Sequence, residues 1–275
     1  MVPTMPKKRQ IVEHNGMDVI LPAYNEAEGL ETVIHDLRSV KDKIGCDLSL
    51  IIVDDGSTDG TGEIGRRLSE NHGAIRYVRH ERNRGYGSAV ISGIEAAVGR
   101  HAAIFDADGQ FRAEDLSRLY RERNGFDVVV GYRQKRADPW QRRLLGNLWT
   151  LVGNLFFGLT LRDLNCGLKI FRSDTLKRLD LKCTGAGITL DIMEQIASMD
   201  IPIRQLPCSH YPRIHGRQTG ADPQVIQRAL SELAFLYQRR RQRLASMQTR
   251  KQDDEKRHEH RQDRSKSTEK AEFIP

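Results

Sequence analysis

The chain has 275 residues, 38% hydrophobic and 29% charged, enough for one large domain or two small ones with a real core. Its formal net charge is +7, but residues 239–270 alone hold twelve Lys or Arg against six Asp or Glu. The basic excess therefore belongs to the tail, and the near-neutral body argues against a nucleic-acid-binding core, which would carry its own basic face. The four cysteines, Cys46, Cys166, Cys183 and Cys208, show no zinc-ligand spacing and read as thiols of a reducing compartment. The N-terminal segment lacks an apolar run of signal-peptide type, so a cytoplasmic location is expected.

Residues 1–16 read as a basic extension. "MDVILPAYN" (17–25) predicts a strand and its exit loop, and residues 28–40 predict a helix with Leu30, Val33, Ile34 and Leu37 at helical spacing. "LSLIIVDDGS" (48–57) predicts a strand buried on both faces. A helix from Thr61, a strand over 74–80, a small-residue helix over 87–99, a strand over 102–108, a helix from Ala113 and a strand over 127–133 follow. This alternation predicts a mostly parallel sheet with helices on both faces, an α/β fold.

After Arg133 the character changes. Residues 144–161 run for eighteen positions without a charge. That approaches the length of a membrane span, but Asn147, Asn154 and three glycines favour one or two amphipathic helices lying in a membrane interface or packed on the domain. Next come a strand with Ser173 as the expected cap of a following helix, a helix over 188–199 and a proline-bounded extended stretch over 201–213. A helix over 222–248 and a charged tail over 249–275 with too little apolar content to fold complete the chain.

Polar clusters follow the expected strands: "PAYNE", "DDGSTDG", "DADGQ" and "GYR". In doubly wound sheets, ligands bind outside the carboxyl ends of the strands. The oxygens of Asp106, Asp108 and Gln110 suit a hard divalent cation, Mg²⁺ or Mn²⁺. Two aspartates one residue apart meet only if the strand ends and turns, which Gly109 permits; the plainer alternative is a solvated acidic turn. Such a site typically completes its shell with water and phosphate oxygens. "VDDGSTDG" lacks the ligand spacing of an EF-hand, and "GYGSAV" lacks the third glycine of a dinucleotide fingerprint.

In this order, "LPAYNEAEGL", "IIVDDGSTDGT", "NRGYGSAVISGIEAAVG", "DADGQF", "GYR" and "DLNCGLKIFR" resemble family 2 glycosyltransferases with the GT-A fold, in particular the dolichyl- or polyprenyl-phosphate sugar transferases. The resemblance covers roughly residues 17–220. It implies a nucleotide-sugar donor, GDP-mannose or a UDP-hexose, with its nucleoside held by Pro22, Ala23, Tyr24, Glu26, Asp54 and Asp55 beside Asp106. It implies metal binding by Asp106, Asp108 and Gln110, and catalytic positions for Asp108, Arg133 and Arg213. Arg143 and Asn147 fall where the family binds the acceptor phosphate, and residues 140–162 match its interface helices. Peripheral attachment to the cytoplasmic face of a membrane is the expected location. The family's Gly-x-Ser-Lys reads "GRQTG" (216–220) here, a departure for which His215, Arg217, Gln218 or Thr219 would have to substitute.

A lipid phosphate is already anionic and needs cationic positioning rather than a base. A hydroxyl acceptor would need a carboxylate base, for which Asp191 or Glu194 is the candidate unless both lie on a solvated helix face. Two further readings differ in class: a haloacid-dehalogenase-type phosphatase, suggested by "FDADG", and a catalytically silent nucleotide-sugar binder, suggested by the altered segment.

Overall fold

The computed structural model describes residues 14–213 and 222–246. The basic extension up to residue 13, the "GRQTG" departure and the charged tail lie outside them. The chain divides into two compact units, Met1–Glu232 and Leu233–Pro275. In the second, residues 233–246 are helical; in the first, residues 223–232 are helical.

The first unit is built on β1 (His14–Ala23), β2 (Leu48–Asp54), β3 (Ile75–Arg79), β4 (Gly99–Phe105), β5 (Val128–Arg133), β6 (Leu168–Arg172) and β7 (Ile203–Cys208). They form one sheet in the order β3-β2-β1-β4-β6-β5-β7. The β1–β2, β2–β3, β1–β4 and β5–β7 pairs are parallel, whereas β6 runs antiparallel to both β4 and β5. The predicted α/β fold with a mostly parallel sheet is what the chain adopts. β6 is the exception because the connection after β5 returns at the carboxyl edge, so β6 begins where the other strands end.

Period-two burial sorts the central strand between two cores. Met17, Val19 and Leu21 of β1 pack with Leu30, Val33, Ile34 and Leu37 of α1 (Ala27–Ser39) and with Leu116 and Leu119 of α5 (Ala113–Arg121). Ile20 faces the other way, toward α4 (Tyr86–Ala96), whose Gly93 has no room for a side chain against it. α2 (Lys41–Ile44) and α3 (Thr61–Asn71) complete the first half. The polar residue between the apolar positions of β1, Asp18, is fully buried because its carboxylate accepts from the amides of Val98 and Gly99 and pairs with Arg76.

Most of the uncharged stretch lies in a single helix, α6 (Trp140–Phe157), and its last four residues, 158–161, follow that helix. Among the described residues no helix is long and apolar enough to cross a membrane. Ser173 is not a cap: it is the first residue of α7 (Ser173–Lys177), and its hydroxyl donates instead to the Gly99 carbonyl of β4 at 2.5 Å.

Candidate active site

The carboxyl ends of β1, β2, β4 and β5 share one edge of the sheet, and β1 and β4 are neighbours although six elements, two of them strands, separate them in sequence. The loops after β1 and β2 are knitted together. The amide of Asn25, at φ 56°, donates to the Ser57 hydroxyl at 3.0 Å, and its own carboxamide oxygen accepts from the Thr58 amide at 2.9 Å. The Glu26 amide donates to the Thr61 hydroxyl and the Ala27 amide to Asp59. Against the desolvation of its partial burial, the Thr61 and Ala27 donors hold the Asp59 carboxyl below its usual value.

Asp54 and Asp55, the predicted nucleoside ligands, spend much of their hydrogen-bonding capacity within the chain. Asp54 accepts from the Ser57 amide and the Tyr77 hydroxyl, each at 2.8 Å. Asp55 accepts from His80 at 2.6 Å and from the amides of Arg84 and Gly85. Both are buried, so they shape the loop that Tyr24, 39% exposed, presents to solvent. Pro22 and Ala23 are the last residues of β1, in register with Val53 and Asp54.

Asp106 and Asp108 stand on one turn, and the charge of Asp106 acts on Asp108. Gly109, at φ 75°, turns the chain directly after β4, and the Gln110 amide closes the turn by donating to Asp108 at 3.1 Å. Desolvation and the neighbouring Asp106 charge raise the Asp108 carboxyl to about 6, against the Gln110 amide and the guanidinium groups of Arg213 and Arg142. Desolvation raises Asp106 too; the Tyr86 hydroxyl, which donates to it at 2.9 Å, and the charges of Lys169, Arg133 and Arg213 oppose that rise. Gln110 is buried and donates from its amide nitrogen to the Tyr211 carbonyl at 3.1 Å, which leaves its carboxamide oxygen uncommitted among the described residues.

No group of three or more His, Cys, Asp or Glu among the described residues is placed to hold a metal. Two carboxylates and one carboxamide nevertheless fit a hard cation whose shell is completed by water and ligand phosphates. Gly167, entering β6 at this edge, lies so close to Asp106 that a side chain there would collide with the carboxylate.

Arg213 bridges the two strand ends: it donates to Glu26 at 2.5 Å and stands 3.6 Å from Asp108. Desolvation, reinforced by Asp108 and Asp106, raises Glu26 to about 7 despite this partner. Glu26 occupies the N-cap position of α1 but makes no side-chain cap bond, so capping does not explain it. Arg133 is held by Asp163, whose two oxygens accept from its Nε and Nη2 at 2.6 and 2.8 Å, a bidentate pair that leaves Nη1 near Asp138 at 3.6 Å. Arg143 and Asn147 stand one turn apart on the exposed part of α6. Arg142, which sequence reasoning passed over, is half-buried beside Asp138 and close enough to lower Asp108. Tyr86, Lys169 and Gly167 were also missed as site residues, although "NRGYG" and "DLNCGLKIFR" contain them.

The solvated-face reading of Asp191 and Glu194 is incorrect: α8 (Ile188–Ser198) is buried along Ile188–Ile196, with Asp191 0% and Glu194 4% exposed. Asp191 accepts from the amides of Lys182 and Cys183 and from Gln195, which ties the preceding loop to α8. On α6, Thr150, Gly153 and Phe157 face inward, whereas Trp140, Leu144, Leu148, Leu151 and Leu155 form an outward stripe between 52% and 71% exposed.

A model of glycosyl transferase family 2 matches residues 18–180. The chain is 31% identical over 204 residues to undecaprenyl-phosphate 4-deoxy-4-formamido-L-arabinose transferase of Edwardsiella ictaluri (strain 93-146), covering 73% of this chain but only 61% of that one. It is 27% identical to undecaprenyl-phosphate mannosyltransferase of Micrococcus luteus, covering 70% and 83%, and 28% identical to dolichyl-phosphate beta-glucosyltransferase of Dictyostelium discoideum, covering 74% and 69%. Among solved structures, glucosyl-3-phosphoglycerate synthase from Mycobacterium tuberculosis with uridine diphosphate superposes with a TM-score of 0.60 at 22% identity, over 80% of each chain. Its complex with Mn²⁺, UDP-glucose and phosphoglyceric acid gives 0.58 at 21%, again over 80% of each. At that identity the likeness establishes the GT-A fold alone.

Proposed function

Because the chain belongs to glycosyl transferase family 2, we propose that it moves a sugar from a nucleotide sugar to a polyprenyl or dolichyl phosphate, with inversion at the anomeric carbon. The observation that carries this reading is that Asp106 and Asp108 stand on the turn after β4, at the carboxyl edge of the sheet, with the Arg213 guanidinium 3.6 Å from Asp108. Relatives that act on undecaprenyl and dolichyl phosphates support the choice of acceptor.

Asp106, Asp108 and Gln110 would hold Mg²⁺ or Mn²⁺, which when bound neutralises charge on a leaving nucleoside diphosphate. Tyr24 offers an aromatic face for the base, and Glu26 with the buried Asp54 and Asp55 shapes the wall around it. Arg213 joins that wall to Asp108 and is the cation placed to meet the diphosphate. Arg133, kept protonated by Asp163 against the cost of its burial, supplies a fixed positive charge at the end of β5. Arg143 and Asn147, with Arg142 behind them, are the acceptor-phosphate groups on α6. An anionic acceptor needs no strong base, and Asp191 is already engaged by three donors. The leucine stripe of α6 rests in the surface of a membrane, on its cytoplasmic face, because an exposed apolar strip of that kind marks an interaction site.

The test is incubation of the full chain with Mn²⁺ and a panel of UDP- and GDP-sugars, with and without polyprenyl phosphate. Lipid-linked sugar is expected from at least one donor. Asp108→Ala is expected to lower its rate by about a hundred-fold or more, since charge stabilisation worth several kcal/mol is lost. If no nucleotide sugar binds in the presence of the metal, the reading fails.

A further inference from the structure

Lys169 is a buried cation that the reaction scheme above does not use. The β4–β6 register sets it opposite Ile104, two residues before Asp106, and its side chain is 2% exposed. Its ammonium donates to the Cys166 carbonyl, which pins the turn that brings Gly167 against the Asp106 carboxylate. A buried ammonium bonded only to a neutral carbonyl is costly, and a nearby anion must offset it. Burial lowers the pKa of this ammonium, and the charges of Asp163 and Asp106 are among those that oppose the fall. Asp163 already makes a bidentate pair with Arg133, so Asp106 is, among the described residues, the anion without another cation in direct contact.

We propose that Lys169 is a positioning residue that holds the Asn165–Gly167 turn against Asp106 and supplies the counter-charge of the two site carboxylates. It thereby weakens their hold on a free divalent cation and makes firm metal binding depend on the negative charge of an incoming diphosphate. This inference rests on the metal-binding reading of Asp106 and Asp108. Removing the charge should make the empty site bind metal more tightly, whereas a purely structural lysine would on removal make it bind less.

The experiment titrates Mn²⁺ into the full chain at pH 8 and follows free Mn²⁺ by electron paramagnetic resonance, without nucleotide and then with UDP or GDP. Lys169→Met removes the charge, Lys169→Gln removes it but keeps a donor for the Cys166 carbonyl, and Lys169→Arg keeps the charge. The neutral variants are expected to bind Mn²⁺ at least about ten-fold more tightly than wild type without nucleotide, because a like charge near the site has been removed. The gap should narrow with nucleotide present, and Lys169→Arg should stay within about three-fold of wild type. Equal or weaker Mn²⁺ binding by the neutral variants overturns the role of Lys169. Melting curves identify a variant that does not fold; should both neutral ones fail, a change beyond three-fold in Lys169→Arg overturns it too. Absence of Mn²⁺ binding by wild type even with nucleotide sinks the metal site itself, a result distinct from the other two.

Discussion

Glu26 shows how burial and charge divide the work within a single side chain. It is paired with Arg213, yet desolvation and the Asp108 and Asp106 charges raise it from an ordinary 4.5 to about 7. The folded protein therefore binds more protons here than the unfolded chain between those two values, and its stability falls as pH rises through that window. Glu26→Gln cannot titrate, so its melting temperature relative to wild type should rise between pH 5 and pH 8. A difference that stays flat or falls in thermal melts of the metal-free proteins would contradict this. At this scale the sequence was most informative where ligating residues sit side by side: "DADGQ" carries its donors and its turn together. It was blind to Tyr86, Gly167 and Lys169, because their meeting with Asp106 depends on strand pairing and not on spacing along the chain.

Among the elements, α6 departs most from the pattern of a packed helix. A helix on a soluble domain turns most of its large apolar side chains inward, but here only Phe157, with Thr150 and Gly153, is buried while the leucines face out. Co-sedimentation with liposomes containing anionic lipid tests whether a membrane covers the stripe. Changing Leu148, Leu151 and Leu155 together to Gln should reduce the bound fraction at least about ten-fold, since each buried leucine contributes roughly 1.5–3 kcal/mol. Binding that persists in this variant would remove α6 as the contact. The run without charges located this helix but not its orientation, because an uncharged stretch has no charged face to mark the outside. α8 was misjudged for the opposite reason: Asp191 and Glu194 look solvated in sequence, yet the fold buries them, and the amides of the preceding loop satisfy Asp191.

At the scale of the whole molecule, the sheet order matters more than any one strand. β1 lies between β2 and β4, so the loops at their ends share one edge of the sheet, and reversal of β6 brings Gly167 to the same edge. The close approach of α4 to β1 supports this arrangement, since Gly93 lies directly against Ile20. Gly93→Ala should destabilise the fold by about 1–3 kcal/mol through overpacking. In a thermal melt that is a fall of several degrees, at about 2–4 °C per kcal/mol for a unit of this size. An unchanged melting temperature would mean that the helix can retreat from the sheet without cost.

The alternation of strands and helices, the parallel character of the sheet and the carboxylate pair after β4 could all be read from the chain alone, because each is written in residues close together in sequence. The antiparallel β6, the lysine beneath Asp106, the commitment of Asp54, Asp55 and Asp191 to their own loops and the outward face of α6 could not. Those features depend on which distant segments meet, and that is decided by the packing of a sheet whose neighbours in space are not neighbours in sequence.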